Sequence, residues 1–155
     1  MITVIDASVI VKWLLQNPRR EAGTAEATRL MERVANGEQP VLQPTHWILE
    51  VGAVLARESP DTAVEDVGML AALELPATDD PRALGRGIAL AMELKQHVFD
   101  TYYHGIALET PDCMLVTADE RYLRAAHSKG RIMDLTEWER LRTRTDVTTR
   151  SRCPA

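Results

Sequence analysis

Cysteine is scarce in this chain: Cys113 and Cys153 are the only two. One begins an apolar run and the other sits in a polar tail, which argues against a disulfide framework. No Cys/His spacing suits structural zinc. No apolar run reaches membrane-spanning length, and the N-terminus lacks a basic stretch followed by an apolar one. The expectation is a cytoplasmic protein. An excess of basic residues is also missing. The formal net charge is −5, which argues against a broad, non-specific nucleic-acid binder. It leaves room for an enzyme that meets phosphate through a metal ion and a local basic rim. Arginines do gather, in Arg121, Arg124 and Arg131 with Lys129, and again in Arg140, Arg142, Arg144, Arg150 and Arg152. The plain reading of either cluster is a solvated face. Internal repeats and low-complexity segments are absent, and no domain boundary is visible.

The 155 residues suffice for one domain with a proper core, and the core is read over 1–142, with a polar, flexible tail over 143–155. The opening Ile2–Ile5 is apolar but for Thr3, as suits a strand buried on both faces of a parallel sheet. A helix follows over Ser8–Gln16, stopped by Asn17 and Pro18, and a second over Glu21–Ala35, with Gly37 as its left-handed stop. Val41-Leu42 and Leu73–Leu75 are short strand candidates. Helices are expected from Pro44-Thr45 to Arg57 and from Asp61, as N-cap, to about Leu70.

Asp79-Asp80-Pro81 is a helix start, a cap followed by proline at the first helical position. Gly85 and Gly87 weaken the helix it opens, by roughly 1 kcal/mol each. Phe99, Tyr102, Tyr103 and Ile106 form another helical stripe. Met114–Thr117 is a second apolar strand, Glu120–Lys129 a helix stopped at Gly130, and Ile132–Leu135 a last strand before a turn around Trp138. Short strands alternating with longer helices define an α/β fold with a parallel sheet.

Four carboxylates stand at element ends or at the margins of apolar arcs. Asp6 follows the first strand, and Asp119 follows the strand Met114–Thr117. Parallel sheets form their sites beyond the carboxyl ends of the strands, so neighbouring strands would bring these two acids together. Each also suits a helix N-cap. Glu50 lies at the edge of the arc made by Trp47, Ile48, Val51, Val54 and Leu55; a surface Glu would serve there as well. Asp100 sits in a first helical turn, where the helix dipole favours an acid. Asp79, Asp80, Glu109, Asp112 and Glu120 are rival acids, read as caps or solvated turn residues.

If the four acids converge, they require a cation. Two carboxylates about 4 Å apart repel by roughly 4 kcal/mol at an effective dielectric near 20. A hard, oxygen-seeking ion such as Mg²⁺ or Mn²⁺ would relieve that repulsion. It could also polarise a phosphodiester and activate water. His46 and His104 each lie four residues from one of these acids and are competing ligands.

The segments VIDASVIVKW, PTHWILEVGAVLAR, VFDTYYHGIAL and LVTADERYL, in this order, resemble the PIN-domain ribonucleases, and most closely the VapC-like toxins of type II toxin–antitoxin pairs. The resemblance extends to about Leu135. It implies a central parallel sheet with helices on both faces. It also implies a metal site built from Asp6, Glu50, Asp100 and Asp119, with Ser8 and Thr117 lining it. The activity implied is Mg²⁺- or Mn²⁺-dependent cleavage of RNA by a homodimer that a small antitoxin protein blocks. The chain departs from the family at Thr101, where alanine is common, and at Arg121, where some relatives carry a further acid. The second departure leaves one ion as plausible as two. Two other classes stay open: a non-catalytic RNA-binding or adaptor protein of the same fold, and a phosphatase-like or receiver-like protein using Asp6 covalently. Ser8, where a phosphatase would want a second Asp, counts against the latter.

Overall fold

The computed structural model describes residues 1–15 and 23–150, with the side chains of its last helix described as far as Thr143. In chain order the elements are β1 (Ile2–Ile5), α1 (Ala7–Leu15), α2 (Thr24–Ala35), β2 (Gln43–Pro44), α3 (Trp47–Glu58), α4 (Ala63–Ala71), β3 (Ala77–Thr78), α5 (Pro81–Leu94), α6 (Val98–Glu109), β4 (Cys113–Thr117), α7 (Glu120–Ala126), a short 3₁₀ turn (His127–Lys129), β5 (Ile132–Asp134) and α8 (Leu135–Arg150). The segment expected to end the first helix and begin the second, 16–22, lies outside the described residues.

The fold is α/β. A parallel sheet runs β1-β4-β5 with β4 in the centre, and a second parallel pair joins β2 to β3. Val4, Ile5 and Val116 have no exposed surface, as apolar residues of strands covered on both faces require. The outer edge of β1 is closed by a bridge from Thr3 to Val41 and by the Gln43 side chain. That amide accepts from Ile5 N at 2.8 Å and donates to Ile5 O at 2.9 Å, so it imitates a neighbouring strand and satisfies backbone groups that burial would otherwise orphan.

Several boundaries differ from the sequence reading. Val41 makes only an isolated bridge, and β2 begins at Gln43. Leu73–Leu75 is no strand: Glu74 takes φ 46° in the turn after α4, which breaks an extended run, and β3 forms beyond Pro76. Asp61 is not the cap of α4, which starts at Ala63 after Thr62. Trp138 sits in α8 rather than in a turn, and it is fully buried. Its burial where α8 packs on α2, β4 and β5 overrides a polar local sequence, as tertiary contacts commonly do. The backbone of α8 continues to Arg150, through the first part of the polar tail; residues 151–155 lie outside the described residues.

Two glycines bring α5 and α6 into backbone contact. A Cβ on Gly87 would stand 2.9 Å from Tyr102 Cα, and one on Gly105 would stand 2.3 Å from Ala83 O. The loss of helix propensity read at Gly87 is thus offset by a close helix approach that no larger residue permits. This packing sets the position of α6, and with it Asp100. Among the described residues, no helix is long and apolar enough to cross a membrane.

Candidate active site

Parallel pairing sets Ile5 opposite Val116, so the chain leaves β1 at Asp6 beside the end of β4 at Thr117. Two hydroxyls converge on Asp6 Oδ2: Ser8 Oγ donates at 2.9 Å, and Thr117 Oγ1 donates from the neighbouring strand. Each hydroxyl also accepts a backbone N–H, Ser8 Oγ from Ala118 and Thr117 Oγ1 from Asp119, both at 3.0 Å. The loop after β4 is therefore tied to the loop after β1 through Asp6.

Asp119 caps α7, its Oδ1 accepting from Arg121 N at 2.8 Å and Tyr122 N at 3.0 Å. The cap reading and the site reading are compatible, because one carboxylate oxygen suffices for the cap. Glu50 and Asp100 each lie in the first turn of their helices, α3 and α6, where the helix dipole favours negative charge.

The acids sense one another. Burial raises the pKa of Asp6 above the ordinary carboxylate range, against the hydrogen bonds from Thr117 and Ser8, and the charge of Asp119 adds to the rise. Burial pushes Glu50 up to about 7, and the charges of Asp6 and Asp100 reinforce it. Burial likewise raises Asp100, with Asp6 and Asp119 adding and His97 and Arg121 opposing. Every pairing among the four except Glu50 with Asp119 is thus close enough for mutual repulsion. Among the described residues, no group of three or more His, Cys, Asp or Glu side chains stands close enough together to hold a metal ion as placed.

Of the two histidines read as competing ligands, His104 is occupied elsewhere. Its Nε2 lies 2.7 Å from Gly130 O and its Nδ1 3.1 Å from Tyr122 Oη. A carbonyl only accepts, so Nε2 carries the proton and Nδ1 accepts from the phenol. His46 lies at the site, its Nε2 3.6 Å from Glu50 Oε2. Tyr103 was legible only as part of an apolar stripe, yet its phenol adjoins Glu50 closely enough to act on that group's ionisation. The available signal was its spacing: three residues after Asp100 on a helix, it shares that residue's face.

Rival acids point elsewhere. Asp112 pairs with the N-terminal ammonium at 2.9 Å and Glu120 with Arg124 at 3.3 Å, while Asp80 caps α5 through Arg82 N. Beside Asp119 a cleft of about 710 Å³ opens between α1, α7 and α8, with Lys12, Arg124 and Arg140 on its walls.

No family model matches the chain, and no curated protein matches it. Its fold is similar to the crystal structure of PAE2754 from Pyrobaculum aerophilum, with a TM-score of 0.62 and 19% sequence identity, over 89% of this chain and 92% of that one. At that identity the likeness is one of fold.

Proposed function

We propose that the chain is a PIN-like, Mg²⁺- or Mn²⁺-dependent endoribonuclease, the toxin of a toxin–antitoxin pair that works as a homodimer in the cytoplasm. The observation that carries the reading is geometric: Asp6 and Asp119 stand just beyond the carboxyl ends of β1 and β4, joined through the Thr117 hydroxyl, and Glu50 and Asp100, from α3 and α6, lie near enough to Asp6 for their charges to raise one another's proton affinity. The resemblance of four ordered segments to the PIN-domain ribonucleases supports RNA as the substrate. The donor set fits a hard divalent ion, because all four groups are carboxylates.

In this reading the four carboxylates hold the ion, directly or through water. When bound, such an ion would supply Lewis acidity to the scissile phosphate and to the attacking water. Ser8 and Thr117 fix Asp6 by occupying Oδ2, which leaves Oδ1 with only a long contact from Ser8 N at 3.5 Å. Asp119 keeps Oδ2 for the site while Oδ1 caps α7. Burial and repulsion hold Asp6, Glu50 and Asp100 with raised proton affinity, so a cation that offsets the repulsion also favours their charged forms.

Replacement of Asp6 by Asn tests the reading. The purified, folded Asp6→Asn protein is expected to lose Mg²⁺-dependent RNA cleavage; full cleavage by that protein removes Asp6 from the mechanism.

A further inference from the structure

Three buried polar atoms at one place have no hydrogen-bond partner: His46 Nε2, Glu50 Oε2 and Tyr103 Oη. Buried polar groups are nearly always paired, so three unpaired ones in adjoining side chains call for an explanation. His46 precedes α3, and Glu50 N donates to its carbonyl at 3.2 Å, so the two side chains start from one helical turn.

The imidazole is boxed by three rings. Tyr102 stacks on it at 5.6 Å with an interplanar angle of 18°, Tyr103 meets it edge-on at 5.5 Å, and Phe99 tilts against it at 5.1 Å. All three belong to α6, the helix that carries Asp100. The box therefore ties the Glu50 helix to the Asp100 helix through a ring that has little freedom to turn.

We propose that His46 and Tyr103 are positioning residues for Glu50, acting together on Oε2 so that Oε1 faces the divalent ion; this rests on the metal-site reading given above. His46 Nε2 stands 3.6 Å from Oε2, so a closure of about half an ångström would bring it to ordinary hydrogen-bond distance. With Nε2–H and the phenol both donating to one oxygen, the other is left as the ligand. Partners of this kind, which orient a ligating carboxylate from behind, typically govern metal affinity by about 10–100-fold.

The test is calorimetric titration of the full chain with Mn²⁺, set beside thermal unfolding without metal. Tyr103→Phe is expected to weaken Mn²⁺ binding by about 10–100-fold. Its unfolding temperature without metal should hold, because the hydroxyl makes no hydrogen bond of ordinary geometry in the metal-free fold. His46→Ala should weaken binding similarly, and His46→Gln, which keeps a donor at similar reach, should recover most of it. If the wild-type chain binds Mn²⁺ and both Tyr103→Phe and His46→Ala bind it equally well, the positioning role is overturned while the metal site stands. If the wild-type chain binds neither Mn²⁺ nor Mg²⁺, both fall. A Tyr103→Phe chain that fails to fold assigns the hydroxyl a structural role and overturns the inference.

Discussion

Thr117, the last residue of β4, donates its hydroxyl to Asp6 at the end of β1 and accepts the backbone N–H of Asp119. One side chain thus couples two candidate ligands separated by more than a hundred residues. A hydrogen bond to a charged group contributes about 1.5–3 kcal/mol. Thr117→Val, which keeps the β-branched shape, is expected to lower metal-dependent cleavage by about tenfold or more, and Thr117→Ser to restore it. Turnover at saturating Mg²⁺ measures this; a fully active Thr117→Val enzyme would show that Asp6 needs no such support.

Asp119 has separable roles as cap and as site acid. Asp119→Asn keeps an oxygen for Arg121 N and Tyr122 N but removes the charge. It should fold with near-native stability and lose cleavage. Asp119→Ala should lose cleavage and also about 1 kcal/mol of stability. Denaturant melts of both variants give the comparison, and equal destabilisation by Asn and Ala would contradict it.

Glu50 makes the metal-free protein sensitive to pH. Its carboxyl is pushed by burial, and then by Asp6 and Asp100, from an ordinary 4.5 up to about 7. The folded state therefore holds this proton more tightly than the unfolded state does. Below about pH 4.5 both states carry the proton. As pH rises toward 7 the unfolded chain loses it first, so stability falls across that window, by at most about 3 kcal/mol. Unfolding of wild type and Glu50→Gln without metal, at pH 5 and pH 8, should show the variant gaining relative stability at the higher pH. Added Mn²⁺ should shrink that difference; parallel curves without metal would mean Glu50 is not perturbed.

The contact of α5 with α6 admits no side chain at Gly105, where a Cβ would meet Ala83 O at 2.3 Å. Gly105→Ala should cost about 1–3 kcal/mol or more through forced displacement of backbone. Gly85, whose Cβ would meet nothing within 4 Å, should tolerate alanine and gain stability from it. Thermal melts of the two variants should move in opposite directions.

Local patterns determined much of this protein. The apolar runs of β1 and β4, the proline-led cap of α5 and the positive-φ turns at Gly37 and Gly130 (φ 72° and 75°) are short-range consequences of sequence, so the α/β alternation and the positions of four candidate acids could be read directly. The tertiary structure decided what depends on distant partners. Burial beneath α2 and the sheet made Trp138 part of a helix, and close backbone packing gave Gly87 and Gly105 their purpose. Ring contacts from α6 placed His46 against Glu50 and left His104 with Tyr122. Spacing along a chain reports which face a side chain occupies, but not which element will come to lie against that face.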